Sequence, residues 1–301
     1  MISNSSLIRF IAMRLLVVLS LLMALFAIYC LAIRPFALCW GSTAEERARA
    51  MPGDSLVVSP SFCATRAITV NGRPEDVWPW LLQMGYNRAG FYGYDLIENI
   101  GSKTGIHSLA SIAPALQHPK TGDVLPISEV ASLIYGSIEP GKYVIWRGAT
   151  TPSDGSFIWA LYPVDGSHTR LISRIRLHYH WTDRRLLLDL FTEFADHVAV
   201  PEILRGIKVR VEGEPPQSLV WEGARIMTWV LSLVEFVTAV ILLIRLRRWR
   251  RAWFLGFAAG LVWLFVLYVH APIWMGAALI CGVLAAILRP WCRRPKESPA
   301  T

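Results

Sequence analysis

Apolar and polar positions follow three different periods along the chain, and each period predicts a different kind of element. Leu15 to Ile33 ("LLVVLSLLMALFAIYCLAI") is an unbroken apolar run, long enough for the roughly 20 residues that cross a bilayer. It exceeds the apolar core of a signal peptide, about 7–15 residues, and no A-x-A-like cleavage site follows it. Cys39 comes directly after the bulky Leu38, which does not fit a lipoprotein cysteine. An uncleaved anchor is expected. Three further apolar runs lie at the other end: Ile226 to Ile244, Ala252 to Val269 and Ile273 to Leu288. Glu235 interrupts the first of them, and the turn "HAPIW" between the last two is tight and uncharged, as a helical hairpin allows.

Between these runs the period shortens. Ala64 to Val70 alternates like a strand. "NGRPED" then supplies a turn, a proline and two acids, which mark the start of a helix running through Leu82, with Pro79 bending it. A second short helical region is expected over Tyr94 to Ile100. The turn sequences "IEPGK" and "VDGSH" separate expected strands at Val130 to Ile138, Lys142 to Arg147, Ser156 to Tyr162 and His168 to Trp181. The last strand carries Leu171, Ile175 and Leu177 on one side, with Arg170, Arg174, Arg176, His178 and His180 on the other. The basic side is predicted to meet solvent. Arg184 to Arg205 returns to a helical period, with Leu187, Leu190, Phe191, Phe194 and Val198 on one face, Pro201 as an interruption and Gly206 as a candidate end.

Composition agrees with the membrane reading: 54% of the 301 residues are hydrophobic and the mean hydropathy is +0.41. The net charge of +8 changes the picture only through its placement. "RLRRWRR" (Arg245 to Arg251) and "RPWCRRPK" (Arg289 to Lys296) abut apolar runs, and Arg9 and Arg14 precede the first. With four spans these clusters fall on one side. That predicts cytoplasmic termini and an extracytoplasmic domain, although Arg34, Arg47 and Arg49 argue mildly against it. Basic residues do not interleave with aromatics as a nucleic-acid platform needs. Cys39 and Cys63 share the expected oxidising side, and a bond between them is not favoured.

The stretches "ATRAITVNGRPEDVWPWLLQMGYNRAGFYGYDLIEN", "GSTAEERARAMPGD" and "IEPGKYVIW" together resemble the SRPBCC superfamily, in particular its polyketide cyclase/dehydrase-like branch. The resemblance covers roughly residues 41–211. It implies an α+β helix-grip (START-like) domain, an antiparallel sheet wrapped around a long C-terminal helix with an apolar cavity between them. Lipid binders, aromatase/cyclases and hydroxylase subunits share that fold, so the resemblance implies a cavity and no reaction. The organisation expected is an N-terminal anchor (1–34), the START-like domain (35–215), a three-helix membrane region (226–288) and a basic tail (289–301).

"VWPWLLQMGYNRAGFYGYDLIENIG" concentrates the candidate chemistry. Trp78, Leu81 and Leu82 read as core. Phe91, Tyr92 and Tyr94 lie in a glycine-bounded irregular segment, where lining of a cavity and plain core are equally open. With Trp146, Trp159, Phe194 and His197 they form the expected ligand-binding set. Asp95 and Glu98 are spaced as an acid–base pair, but an exposed or Arg88-paired role is the simpler reading. His178 and His180 have chelating spacing without further ligands, so no metal is expected. No nucleophile elbow, P-loop or dinucleotide fingerprint occurs, and no cofactor is implied. A membrane-tethered module binding a lipid or other hydrophobic small molecule is favoured. The alternatives are a cyclase/dehydratase-like enzyme using Asp95, Glu98 or His197, and a structural or accessory role with a membrane-protein partner on the Glu235 helix.

Overall fold

The computed structural model describes residues 4–149, 155–181, 184–245 and 249–292. Residues 246–248 of the middle basic cluster and the basic tail at 293–301 lie outside the described residues. The chain divides into two compact units, Phe36–Glu222 and a second made of Met1–Pro35 with Gly223–Thr301.

In chain order the helices are α1 (Asn4–Ile28), α2 (Arg34–Leu38), α3 (Ala44–Ala48), α4 (Pro74–Gln83), α5 (Asp95–Glu98), α6 (Leu186–Val211), α7 (Leu219–Arg245), α8 (Trp249–Tyr268) and α9 (Ile273–Cys292). A π-helical turn, Tyr29–Ile33, joins α1 to α2. Among the described residues, three helical stretches are long and apolar enough to cross a membrane: Ile8–Leu38, Leu219–Arg245 and Trp249–Tyr268. The apolar part of α9, Ile273–Leu288, is shorter. Their abundant exposed side chains, among them Leu15, Leu31, Val230 and Phe254, are what a lipid-facing surface requires. Within this unit Ala239, Ala259 and Ile287 form a small core shared by α7, α8 and α9. Leu25 fills the space beside Gly260, bringing α1 close to α8.

The other unit is a mixed helix and antiparallel sheet domain. Its strands are β1 (Phe62–Asn71), β2 (Val124–Pro126), β3 (Ser132–Glu139), β4 (Tyr143–Arg147), β5 (Gly155–Pro163) and β6 (His168–Leu177). They form one six-stranded sheet in the order β1-β6-β5-β4-β3-β2. Every pairing is antiparallel, with a register shift between Tyr135 and Ser137 on β3. β2 is too short to show a period, which is why the hydrophobic pattern does not reveal it. α4 starts at Pro74, with the Arg73 N–H donating to Asp76 Oδ2 at 2.9 Å. It packs on β5 and on α6, and α6 packs on β1 and β6.

Two expectations fail here for physical reasons. The basic side of β6 does not face solvent. Segment 41–57 lies across it, and Arg174 is only 2% exposed. α3 opens with a Thr43/Glu46 capping box, and its end leaves backbone carbonyls without helical donors. The Arg174 guanidinium supplies them, donating to the carbonyls of Glu46 (2.8 Å), Arg47 (3.1 Å) and Arg49 (2.8 Å) and to Asp54 Oδ2 (2.8 Å). Arg170 Nε donates to Glu46 Oε1 at 2.6 Å. A second core of Met51, Ala67, Ile145, Ile158, Ala160 and Ile172 sits on this face, so the sheet is covered on both sides.

The second failure concerns α6. It continues through Pro201 and past Gly206 to Val211. At Gly206 a Cβ would meet the Tyr92 carbonyl oxygen at 1.9 Å, so the glycine permits a close approach and does not end the helix. Of the expected apolar face, Leu187, Leu190, Phe191 and Phe194 are largely exposed (77%, 45%, 61% and 38%), whereas Val198 is buried. The buried face is the one with Glu193, Asp196, His197, Val200, Ile203, Leu204 and Ile207.

Candidate functional site

Strand register builds the inner face of the sheet row by row. One row runs Arg66 (β1), Ser173 (β6), Trp159 (β5) and Val144 (β4). The next runs Ala64, Ile175, Phe157, Trp146 and Tyr135. Trp146 and Trp159 are diagonal neighbours with ring centroids 5.6 Å apart and planes tilted by 55°. They are 3% and 2% exposed, and neither indole Nε1–H has a hydrogen-bond partner among the described residues. Each buried, unmade bond costs about 1–3 kcal/mol. Phe91, Tyr92, Trp146 and Trp159 share one apolar cluster with Trp80, Tyr135, Val200 and Leu204.

A charged group lies in the first row. Arg66 stands on the apolar side of β1, between Ala64 and Ile68, and is 1% exposed. Its Nη1 is 2.5 Å from Asp196 Oδ2, its Nε donates to the Ala37 carbonyl at 2.7 Å, and its Nη2 is 3.3 Å from His197 Nδ1. His197 Nε2 is 3.6 Å from Glu193 Oε1. Phe62 stacks on the imidazole at 5.7 Å. Arg66, Asp196, His197 and Glu193 therefore form a buried polar cluster between the sheet and α6; helical spacing puts the three α6 residues on one side, but nothing in the spacing joins Arg66 to them. The available signal was Arg66 itself, a charge on the apolar side of an alternating strand.

A second polar cluster gathers around α5. Asp95, 6% exposed, accepts from the Ser108 N–H (2.9 Å), Ser108 Oγ (2.5 Å) and Asn99 Nδ2 (3.1 Å). Glu98 Oε2 accepts from the Gly93 N–H at 3.2 Å. Burial pushes the Glu98 carboxyl up to about 8, with Asp95 and Glu222 adding in the same direction against two backbone donors. The expected exposed or Arg88-paired arrangement does not hold. Arg88 instead donates to the carbonyls of Leu82, Met84 and Leu116. Arg210 lies 4.5 Å over the Tyr92 ring. Burial lowers its pKa and raises that of the Tyr92 hydroxyl, which donates to the Trp80 carbonyl at 3.1 Å. Tyr92 has φ 69°, a left-handed conformation costing roughly 1–2 kcal/mol in a non-glycine residue. Tyr92, Asp95, Glu202, Arg205 and Arg210 border a polar cleft of about 30 Å³, space for a water or two.

The expected ligand-binding residues thus separate. Phe91, Tyr92, Trp146 and Trp159 come together in one cluster. Tyr94, 2% exposed, occupies the N-cap position of α5 and makes no side-chain capping bond there. Phe194 packs on Phe191 at 6.2 Å, outside that cluster. His197 joins Arg66. Gln83, 0% exposed, is structural: its Oε1 accepts from the Ala113 N–H at 2.9 Å and its Nε2 donates to the Ser111 carbonyl at 3.3 Å. His180 Nδ1 lies 2.9 Å from Asp189 Oδ2, and no group of three metal-ligating side chains occurs among the described residues. Cys39 and Cys63 are both thiols.

No family model matches the chain, and no curated protein matches it. Among solved structures, a polyketide-cyclase-like protein of Corynebacterium glutamicum aligns with 13% identity over 52% of this chain and 97% of its own, at a TM-score of 0.32. A protein of Mesorhizobium loti aligns with 14% identity over 51% of this chain and 99% of its own, at 0.30. A protein of the dynemicin biosynthetic locus aligns with 15% identity over 53% of this chain and 51% of its own, at 0.31.

Proposed function

We propose that the chain is a membrane-tethered binding module of the helix-grip kind. Its sheet and α6 take up a lipid or other apolar molecule that carries a hydrogen-bond acceptor. The observation that carries this reading is the pair of buried indole N–H groups of Trp146 and Trp159, with no acceptor among the described residues. Buried donors are almost always satisfied. An acceptor brought in on an apolar molecule satisfies them, and the surrounding Phe157, Val144 and Tyr135 give its hydrocarbon part contacts. The exposed apolar start of α6, with Leu187, Leu188 and Phe191, supplies a surface suited to a bilayer, the nearest source of such a molecule. In this reading the domain is extracytoplasmic and both termini are cytoplasmic.

The polar cluster of Arg66, Asp196 and His197 favours a second reading, an enzyme acting on the bound molecule, since Arg66 shares a sheet row with Trp159 across Ser173 and holds Asp196 and His197 of α6 at that end of the row. A binding assay on the full chain separates the two. Trp146→Phe and Trp159→Phe remove the donors and keep the rings. In delipidated protein each should raise Tm, because an unmade bond is lost. Each should also weaken binding of a fluorescent polyene fatty acid by about tenfold, the equivalent of roughly 1.4 kcal/mol. Binding unchanged in both variants, but abolished in Asp196→Asn, would favour the enzyme reading.

A further inference from the structure

The second unit carries a line of buried polar side chains of its own. On α7, Arg225, Thr228, Ser232 and Glu235 recur at spacings of three and four and so share one face. They are 5%, 9%, 0% and 6% exposed. The same face continues as Ala239 and Leu243, both buried, so it is the side turned to the other helices. Trp229 Nε1 donates to the Val266 carbonyl at 3.0 Å. This bond sets the level of the antiparallel α8 and puts the α8–α9 turn beside the Arg225 end of α7. At that end a small cleft of about 10 Å³ opens between Arg225, Thr228, Val266 and the turn residues Ala271, Pro272 and Gly276. It has room for about one water.

Glu235 stands at the inner end of this line. Neither carboxyl oxygen has a hydrogen-bond partner among the described residues. A carboxylate without a counter-charge is costly in a membrane interior, and ionisable side chains kept there mark ion or proton pathways. The Thr228 hydroxyl donates to the Arg225 carbonyl (2.7 Å) and the Ser232 hydroxyl to the Trp229 carbonyl (3.0 Å). Both oxygens remain as acceptors, two and one helical turns from Glu235. Other charges are remote in sequence position along the packed helices. Arg14 of α1 is tied to the Leu243 carbonyl at 2.9 Å, eight residues or about 12 Å further along α7. α1 has no acid or base between Arg14 and Tyr29, α8 has none between Arg251 and Tyr268, and α9 has only Cys281 between Ile273 and Leu288. Arg225 and His270 lie at the cleft end.

We propose that Glu235 is a membrane-embedded proton-binding site, exchanging its proton with the aqueous side at the α8–α9 turn through the cleft and the Thr228 and Ser232 hydroxyls. This does not depend on what the other unit binds.

The probe is dicyclohexylcarbodiimide, an apolar reagent that reacts with protonated carboxyls in membranes. The carboxyl oxygen bonds to the central carbon and the acid proton passes to a reagent nitrogen. The O-acylisourea then rearranges to a stable N-acylurea without a leaving group. With the full chain in sealed liposomes, peptide mass spectrometry should find the whole reagent added at Glu235, and Glu235→Gln should remove it. Above the titration midpoint the rate should fall about tenfold per pH unit. It should follow the pH on the side of the α8–α9 turn, a side identified by labelling Ala271→Cys with an impermeant maleimide. Thr228→Val with Ser232→Ala should slow the response to a pH jump on that side several-fold while labelling at steady pH persists. No labelling of Glu235, labelling independent of pH, or labelling that follows the opposite side would overturn the proposal. So would an unaltered response in the double variant.

Discussion

Arg66 on β1 and Asp196 on α6 meet at 2.5 Å inside the sheet–helix interface, their side chains 1% and 3% exposed. The pair joins the first strand of the domain to its closing helix. Its position, between the aromatic cluster and the Phe62–Ile175 cluster, puts charge where the fold otherwise buries hydrocarbon.

Breaking one side of that pair leaves a buried charge uncompensated. Asp196→Leu or Arg66→Met alone should lower stability by about 3–5 kcal/mol, whereas the double replacement should recover most of the loss. Thermal melts of the detergent-purified chain check this. Equal losses in the single and double variants would mean that the pair is not the relevant contact.

Glu98 gives a pH dependence whose sign is fixed. Its folded-state carboxyl titrates near 8 against an ordinary 4.5, so between those values the folded chain binds more protons than the unfolded chain. Stability should therefore fall as pH rises through that window. Glu98→Gln should flatten the Tm–pH curve there. A wild-type curve rising from pH 5 to 8, with the variant unchanged, would contradict the placement of this carboxyl.

The contact between Gly206 and the Tyr92 carbonyl offers a steric test. Gly206→Ala puts a methyl where the Cβ would lie 1.9 Å from that oxygen, and α6 or the Tyr92 segment must shift. A loss of roughly 1–3 kcal/mol is expected in spite of alanine's better helix propensity. A gain in stability would show that the two elements are not in close approach.

Much of the architecture was legible in the sequence because it rests on local periods. The alternation in β1 and β6, the turn sequences around β5 and the apolar runs of α7 and α8 need no tertiary knowledge. What was not legible depends on which element covers which face. The basic side of β6 reads as a solvated face until α3 is seen to present its terminal carbonyls to Arg174. The apolar stripe of Leu187, Phe191 and Phe194 reads as core, yet the buried side of α6 carries Glu193, Asp196 and His197, because those groups meet Arg66 from a strand more than a hundred residues earlier. Of the candidate site, the aromatic residues were visible as types. The orphaned indole donors were not, since satisfaction is a property of the packed state.

Orientation in the membrane is open to a separate check. Reporter fusions after Ser218 and after Lys296 should report opposite compartments, with the second cytoplasmic, if the basic clusters act as topology signals on four spans. Matching compartments would mean that the number of spans is different.

In the proposed function an apolar molecule with a hydrogen-bond acceptor occupies the sheet–α6 interior against Trp146 and Trp159. Native mass spectrometry of the full chain, released gently from detergent, tests it most directly. The expected result is a chain carrying one additional mass in the lipid or fatty-acyl range, with occupancy falling about tenfold when Trp146→Phe and Trp159→Phe are combined. A wild-type chain that shows only its own mass, and still does so after incubation with a lipid extract, would contradict it.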